Sequence, residues 1–294
     1  MNKLITKQTT VQEVIELMSF CKEARLIFPV DRPIKKEMTL KQISSPDIYL
    51  WYSHIYVEKT IEVIEALYQN SKKYPIFYHI YSTEERLKDP SKNNTGLFFF
   101  KGKKNAPFAL CNAGGGFVYV GALHDSFPHA LHLSKKGYNA FVLIYRVDHP
   151  YDDLAKAISF IYHHRQSLEV DSNHYSLWGG SAGARMAATL GNKQILNSYF
   201  DGHIPQADAI IMQYTGYNRV SKDDGPTYAC VGTNDWIADY NVMQTRLKRL
   251  SKLNIATEFH CYPGLEHGFG LGLNTISESW IDDAINFWQR QIKQ

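Results

Sequence analysis

Apolar and polar positions follow two rhythms along this chain. Near the N-terminus, Val11, Val14, Ile15 and Met18, and later Ile61, Ile64, Leu67 and Tyr68, recur at the spacing of amphipathic helices. The stretch between them holds Pro29, Pro33 and Pro46, which disfavour regular structure and suit a segment laid over another surface. From Pro75 onward, strand-like runs alternate with helical ones. PIFYHIYS and LFFFKG, separated by the turn-rich KDPSKNNTG, read as a hairpin. FALCNA then leads into three glycines, followed by a helix from Ser126 to Lys135, the strand AFVLIYRV and a helix from Tyr151 to Gln166. SLWGG, a helix from Ala182 to Gly191, DAIIMQY, TYACVG, a helix from Tyr240 to Leu253, TEFHCYPG and a helix from Ile276 to Arg290 complete the series.

Parallel neighbours need a crossover of about a dozen residues, so this alternation predicts an α/β fold, a mainly parallel sheet with helices on both faces. Ligands then bind beyond the carboxyl ends of the strands. The sequence has no internal repeat and no low-complexity linker. Residues 1–74 therefore read as an N-terminal helical extension or cap on a unit spanning 75–294, rather than as a domain apart.

Composition narrows the function classes more than the fold. The 294 residues are 44% hydrophobic and 21% charged, enough for a large core and far from a disordered or coiled-coil composition. Thirty-two basic against 29 acidic residues leave a net charge of +3. Short basic clusters such as Lys103-Lys104 and Lys135-Lys136 read as solvated faces, and no nucleic-acid module is present. The opening MNKLITKQTTVQEV lacks the apolar core of a secretory signal, and no run approaches the length of a membrane span, so a cytoplasmic location is expected. Cys21, Cys111, Cys230 and Cys261 are far apart and read as reduced, structural residues.

The most informative chemistry is in Trp178-Gly179-Gly180-Ser181-Ala182-Gly183-Ala184, a Gly-x-Ser-x-Gly placed after an apolar strand and opening a helix. A serine on such a sharp turn is pushed above the sheet, with glycines where side chains would strike neighbouring backbone. The Ala182 amide and the positive end of the helix dipole then face the position of a developing oxyanion. A serine merely capping a helix is the plain structural alternative.

A hydroxyl becomes a useful nucleophile only when a base takes its proton. His267 follows the last strand in Pro263-Gly264-Leu265-Glu266-His267-Gly268-Phe269, and Asp235 follows TYACV in Gly232-Thr233-Asn234-Asp235. Asp239 and Glu266 are rival acids, although Glu266 is too close along the chain to reach the His267 ring easily. A third element, Asn112-Ala113-Gly114-Gly115-Gly116-Phe117, follows the strand FALC, and its glycines let backbone amides approach a ligand closely.

On Ala113 to Phe117, the strand ending Tyr145-Arg146, Gly179 to Gly183, Asp235 and His267, the run from Pro75 to the C-terminus resembles the α/β-hydrolase superfamily, especially its carboxylesterase and acetyl-xylan-esterase-like branches. The resemblance implies an α/β-hydrolase fold, Ser181 as nucleophile, His267 as general base and then acid, and Asp235 orienting the imidazole. It also implies an oxyanion hole made by the amides of Gly115, Gly116 and Ala182. Two positions depart from many relatives: Ala113 stands where a histidine is common, and Gly180 where an acidic residue is common.

Phe117, Tyr214, Trp236 and Phe269 fall beside strand ends and are candidates for lining an acyl or sugar pocket, with core packing as the competing role. His124, Asp125, His129 and His132 have spacings compatible with a metal site but are read as supporting or core residues. His163-His164-Arg165 reads as a solvated helix terminus, and Arg146 suits either a substrate carboxylate or a buried ion pair. The expectation is a metal-independent, cofactor-free serine hydrolase acting on a small-molecule ester with a small acyl group, acetylated carbohydrate being one candidate. It is expected to bind neither nucleic acid nor membrane. A peptidase or amidase of the same fold, and a non-catalytic binding protein, are the alternatives.

Overall fold

Eight strands form one sheet among the residues described by this computed structural model, 4–18 and 22–293. They are β1 (Phe77–Tyr78), β2 (Gly96–Phe100), β3 (Ala106–Asn112), β4 (Asn139–Ile144), β5 (Val170–Gly180), β6 (Ala209–Gln213), β7 (Thr227–Gly232) and β8 (Thr257–Tyr262). Their order across the sheet is β1-β2-β4-β3-β5-β6-β7-β8. Strands β3 to β8 are mutually parallel, and β2 runs antiparallel to both β1 and β4. Every residue of β2, β4, β6 and β7 is buried, which is why these strands read as continuous apolar runs.

The helices before the sheet are α1 (Val11–Leu17), α2 (Leu40–Ile43) and α3 (Val57–Ser71), and α4 (Thr83–Lys88) lies between β1 and β2. Then come α5 (Ala122–Asp125), α6 (Phe127–Lys135), α7 (Pro150–His163), α8 (Arg165–Leu168), α9 (Ala182–Leu190), α10 (Lys193–Phe200), α11 (Tyr240–Ser251) and α12 (Trp280–Ile292). The chain steps one way across the sheet from β3 to β4 and the other way from β4 past β3 to β5, β6, β7 and β8. Right-handed crossovers therefore put α6 on one face and α7, α9 and α11 on the other. Helix α12 shares the face of α6, with His132 bonded to Asp282 and His129 packed on Trp280. The reversal falls between β3 and β5, so the crevice above their carboxyl ends is where a ligand is expected.

The N-terminal residues are not a loose appendage. Val14, Leu26, Leu40, Tyr49 and Leu67 are buried in the same continuous apolar cluster as Phe98, Leu110 and Trp178, and α3 packs on α5 and α6. The expected hairpin pairs as β1 with β2, but β1 is two residues long and α4 intervenes. A capping box starts that helix, with Ser82 and Glu85 each taking the other's backbone amide. Helix α12 begins at Trp280 rather than Ile276 because the hydroxyls of Thr275 and Ser277 engage local backbone and each other instead.

Cys111 and Cys230 are buried in β3 and β7, Cys261 is half-buried in β8, and all three are free thiols; Cys21 lies outside the described residues. Burial pushes each of the three thiols up, away from reactive thiolate. Among the described residues, no helix is long and apolar enough to cross a membrane.

Candidate active site

At the end of β5 the chain turns directly into α9, and Ser181 at the turn has φ 51° and ψ −113°, a backbone region that a side chain normally avoids. A Cβ at Gly179 would come within 2.5 Å of the Ala184 nitrogen, and one at Gly183 within 2.6 Å of the Asn112 carbonyl carbon. Only glycines allow the turn to be this tight against β3. The Ser181 amide donates to the Gln213 carbonyl on β6 at 2.9 Å, which ties the turn to the neighbouring strand.

Ser181, His267 and Asp235 come together in a hydrogen-bonded line. The Ser181 Oγ lies 3.2 Å from His267 Nε2, and His267 Nδ1 lies 2.8 Å from Asp235 Oδ2. Because Nδ1 faces a carboxylate, it carries the proton in the neutral ring and leaves Nε2 free to accept from the serine hydroxyl. Asp235 Oδ1 accepts from the amides of Ile237 at 2.9 Å and Ala238 at 2.7 Å, so the acid is held by its own loop. The Asp235 side chain is wholly buried and His267 is 4% exposed, while Ser181 is half-buried and reachable. The rival acids stand elsewhere: Asp239 caps α11 by accepting from the Asn241 amide, and Glu266 is exposed.

The glycine loop after β3 approaches the same point. Gly115, Gly116 and Phe117 have successive φ values of 119°, 63° and 58°, a left-handed run that turns consecutive amides to one side. Among the described residues no hydrogen bond engages the amides of Gly115, Gly116 or Ala182. The loop's base is braced by Tyr145, whose hydroxyl donates to the Ala113 carbonyl at 2.8 Å, and by Asp125, which accepts from the Gly114 amide at 2.7 Å.

The pocket candidates separate into two groups. Phe117 is half-buried against Tyr145 and Tyr151, and Trp236 projects from the acid loop at 71% exposure. Tyr214 and Phe269, also expected to line a pocket, are 0% and 1% exposed instead. They form a layer behind His267, with the Tyr214 ring 5.0 Å from the imidazole and 4.8 Å from Phe269, and the Tyr214 hydroxyl is taken by Asp125. Arg146 is the buried ion pair of its two readings, bonded to Asp153 through its side chain and its own amide. The four-residue histidine and aspartate cluster does not converge: His124 meets the Gly268 carbonyl, His129 packs on Trp280 and His132 meets Asp282. Among the described residues, no group of three His, Cys, Asp or Glu is placed to hold a metal ion.

Sequence reasoning missed the contribution of the N-terminal segment. Ser53 donates from its amide to the Gly268 carbonyl at 3.1 Å and from its hydroxyl to the His267 carbonyl at 2.8 Å. The Trp51 ring covers Gly116, where an added Cβ would lie 2.9 Å from it. No spacing rule connects residue 53 with residue 267, and the only hint was that the proline-rich stretch looked like a covering.

The strand order, the turn at Ser181 and the meeting of Ser181, Asp235 and His267 beyond the carboxyl ends of β5, β7 and β8 together decide the architecture. The chain has the α/β-hydrolase fold. The family model BD-FAE matches residues 100–227 of it, a span that includes the glycine loop and Ser181 but ends at the start of β7, before Asp235 and His267. Among solved structures with this hydrolase fold, an acetyl ester-xyloside bifunctional hydrolase from Caldicellulosiruptor lactoaceticus superposes with a TM-score of 0.64 at 21% identity, covering 73% of this chain and 95% of its own. An α/β hydrolase from a Medee basin deep-sea metagenome library gives 0.60 at 23% identity, covering 68% and 93%. A carboxylesterase from Lactobacillus plantarum gives 0.58 at 18% identity, covering 67% and 92%. No curated protein matches the sequence.

Proposed function

We propose that this chain is a serine hydrolase that cleaves carboxylic esters with a small acyl group through an acyl-enzyme. The observation that carries the reading is the continuous line from Ser181 Oγ through His267 to the buried Asp235 carboxylate, beside a glycine loop whose Gly115 and Gly116 amides no hydrogen bond engages among the described residues. In the first half-reaction the Ser181 oxygen attacks the ester carbonyl while its proton passes to His267 Nε2. The carbonyl oxygen, now negative, is received by the amides of Gly115, Gly116 and Ala182. His267 then gives the proton to the departing alcohol, leaving Ser181 acylated. Water repeats the cycle, giving its proton to His267 as it attacks, and frees the acid. Asp235 keeps the imidazole in the working tautomer and stabilises its cationic form, remaining ionised itself.

Bulky rings around the glycine loop and His267 support a small acyl group. Phe117 and Trp51 crowd the glycine loop, and Tyr214 and Phe269 fill the space behind the base. Trp236, exposed next to Asp235, is the proposed apolar surface for a sugar ring on the alcohol side. The similarity in fold to an acetyl ester-xyloside hydrolase and a carboxylesterase supports the ester class without fixing the substrate.

The test is hydrolysis of p-nitrophenyl esters of increasing acyl length, with peptide p-nitroanilides alongside, by the wild type and Ser181→Ala. Turnover highest on acetate or butyrate and lost by several orders of magnitude in Ser181→Ala is the expected outcome. Turnover confined to the anilides assigns the triad to amide hydrolysis instead. A folded protein that acts on neither series, and whose Ser181 a fluorophosphonate does not label, is a non-catalytic binding protein.

A further inference from the structure

Among the described residues, Asp125 is the carboxylate buried against both Gly180 of the Ser181 turn and Gly114 of the glycine loop. It is 3% exposed, sits at the end of the short helix α5, and accepts three hydrogen bonds from three separate parts of the chain. Gly114 donates its amide at 2.7 Å, Tyr52 its hydroxyl at 3.0 Å, and Tyr214 its hydroxyl to the other oxygen. Each donor leads to a different piece of the site. Gly114 immediately precedes Gly115 and Gly116, the loop glycines proposed to receive the oxyanion. Tyr214 lies edge-on against the His267 ring, and Tyr52 adjoins Ser53, which holds the His267 loop from the far side.

The surrounding sequence leaves room for this group. A Cβ at Gly180 would lie 2.7 Å from the Asp125 Cγ, so the space a side chain beside the nucleophile would fill is already taken by the carboxylate. A Cβ at Gly114 would come 2.8 Å from the Tyr52 hydroxyl, and one at Gly121 2.5 Å. Three glycines on three segments thus make room for one tyrosine and one aspartate. A buried carboxylate is costly unless its oxygens are satisfied, and here donors replace a cation: no lysine or arginine pairs with Asp125 among the described residues.

We propose that Asp125 is a positioning residue of the active site, fixing the glycine loop in its amide-presenting form and coupling it through Tyr214 to His267. The inference rests on the hydrolase reading for what the loop accomplishes, but its geometry can be tested without turnover. Asp125→Asn is informative because all three neighbours are donors, and the amide group brings a donor where an acceptor is needed. Two measurements are made together on the full chain. Hydrogen exchange of the peptide covering 113–118, followed by mass spectrometry, is expected to rise at least roughly tenfold in Asp125→Asn while the central strands stay protected. With the best p-nitrophenyl ester, kcat is expected to fall about a hundredfold with KM within about threefold, the pattern of a lost transition-state contact.

Unchanged loop exchange in folded Asp125→Asn overturns the proposal, and so does a raised KM with kcat retained. A wild type that hydrolyses no ester while the variant's loop exchange rises supports the positioning role and sinks the hydrolase reading instead. If Asp125→Asn does not fold, Tyr214→Phe and Gly180→Ala perturb the same group from two sides, and the same two readouts decide the matter. Both variants should shift them in the same direction as Asp125→Asn, and normal behaviour in both overturns the role.

Discussion

At the scale of single residues the site is a matter of who holds whose lone pair. Asp235 has both oxygens occupied, one by the imidazole and one by two amides of its own loop, so its orientation is not shared with solvent. Asp235→Asn should leave the fold intact and lower kcat by as much as about ten-thousandfold, because the amide favours the wrong ring tautomer. Asp239→Asn should change kcat less than about twofold, since that carboxylate only caps α11. Steady-state rates of the two variants, with thermal unfolding as a control, check the assignment. Ser181, Asp235 and His267 were legible as candidates because each follows a strand in a glycine-bearing turn. Asp125 was visible only as a member of a histidine-rich cluster, since its meaning comes from Tyr52 and Tyr214, 73 and 89 positions away.

At the scale of elements, the strands and long helices were legible because burial on both faces writes continuous apolar runs and amphipathic spacing into the sequence. What was not legible arises where local polar side chains compete with periodicity. Helix α4 interrupts the hairpin through a Ser82–Glu85 capping box that was present in the sequence but overshadowed by the adjacent turn residues. The 151–166 helix is divided at His164 into α7 and α8, and α10 follows α9 after Asn192, whose side chain caps it. The segment between α2 and α3 is the most consequential, for Ser53 bonds twice to the base loop. Ser53→Ala removes one of those bonds, worth about 1 kcal/mol, and should lower kcat roughly fivefold with little change in thermal stability. A kcat equal to wild type would mean that the base loop holds itself.

At the scale of the whole molecule, three buried ionisable groups set the response to acid. Burial pulls the His124 imidazole down to about 4 and that of His129 to about 3, so both are neutral in the folded protein and charged in the unfolded chain below about pH 6.5. Their contributions to stability are therefore complete above that pH and are lost as it falls, by about 3 and about 5 kcal/mol. Asp125 works in the opposite direction. Burial pushes its carboxyl up to about 6, so acid between pH 6 and 4 relieves about 3 kcal/mol. The histidines outweigh it, and thermal unfolding followed from pH 7 to pH 4 should show a steep fall in Tm. His129 is buried against Trp280, so His129→Phe should flatten that fall; an unchanged slope would place the acid lability elsewhere.

The N-terminal segment also imposes an order on the making of the protein. Ser53 and Tyr56 are made well before their partners, the carbonyls of His267 and Leu273, which lie 214 and 217 positions later. The sheet can assemble strand by strand during synthesis, but the clasp on the His267 loop has nothing to close upon until residues 267–273 have been made. A nascent chain that stops short of those residues therefore carries Ser181 with neither its imidazole partner nor the clasp that holds that partner's loop.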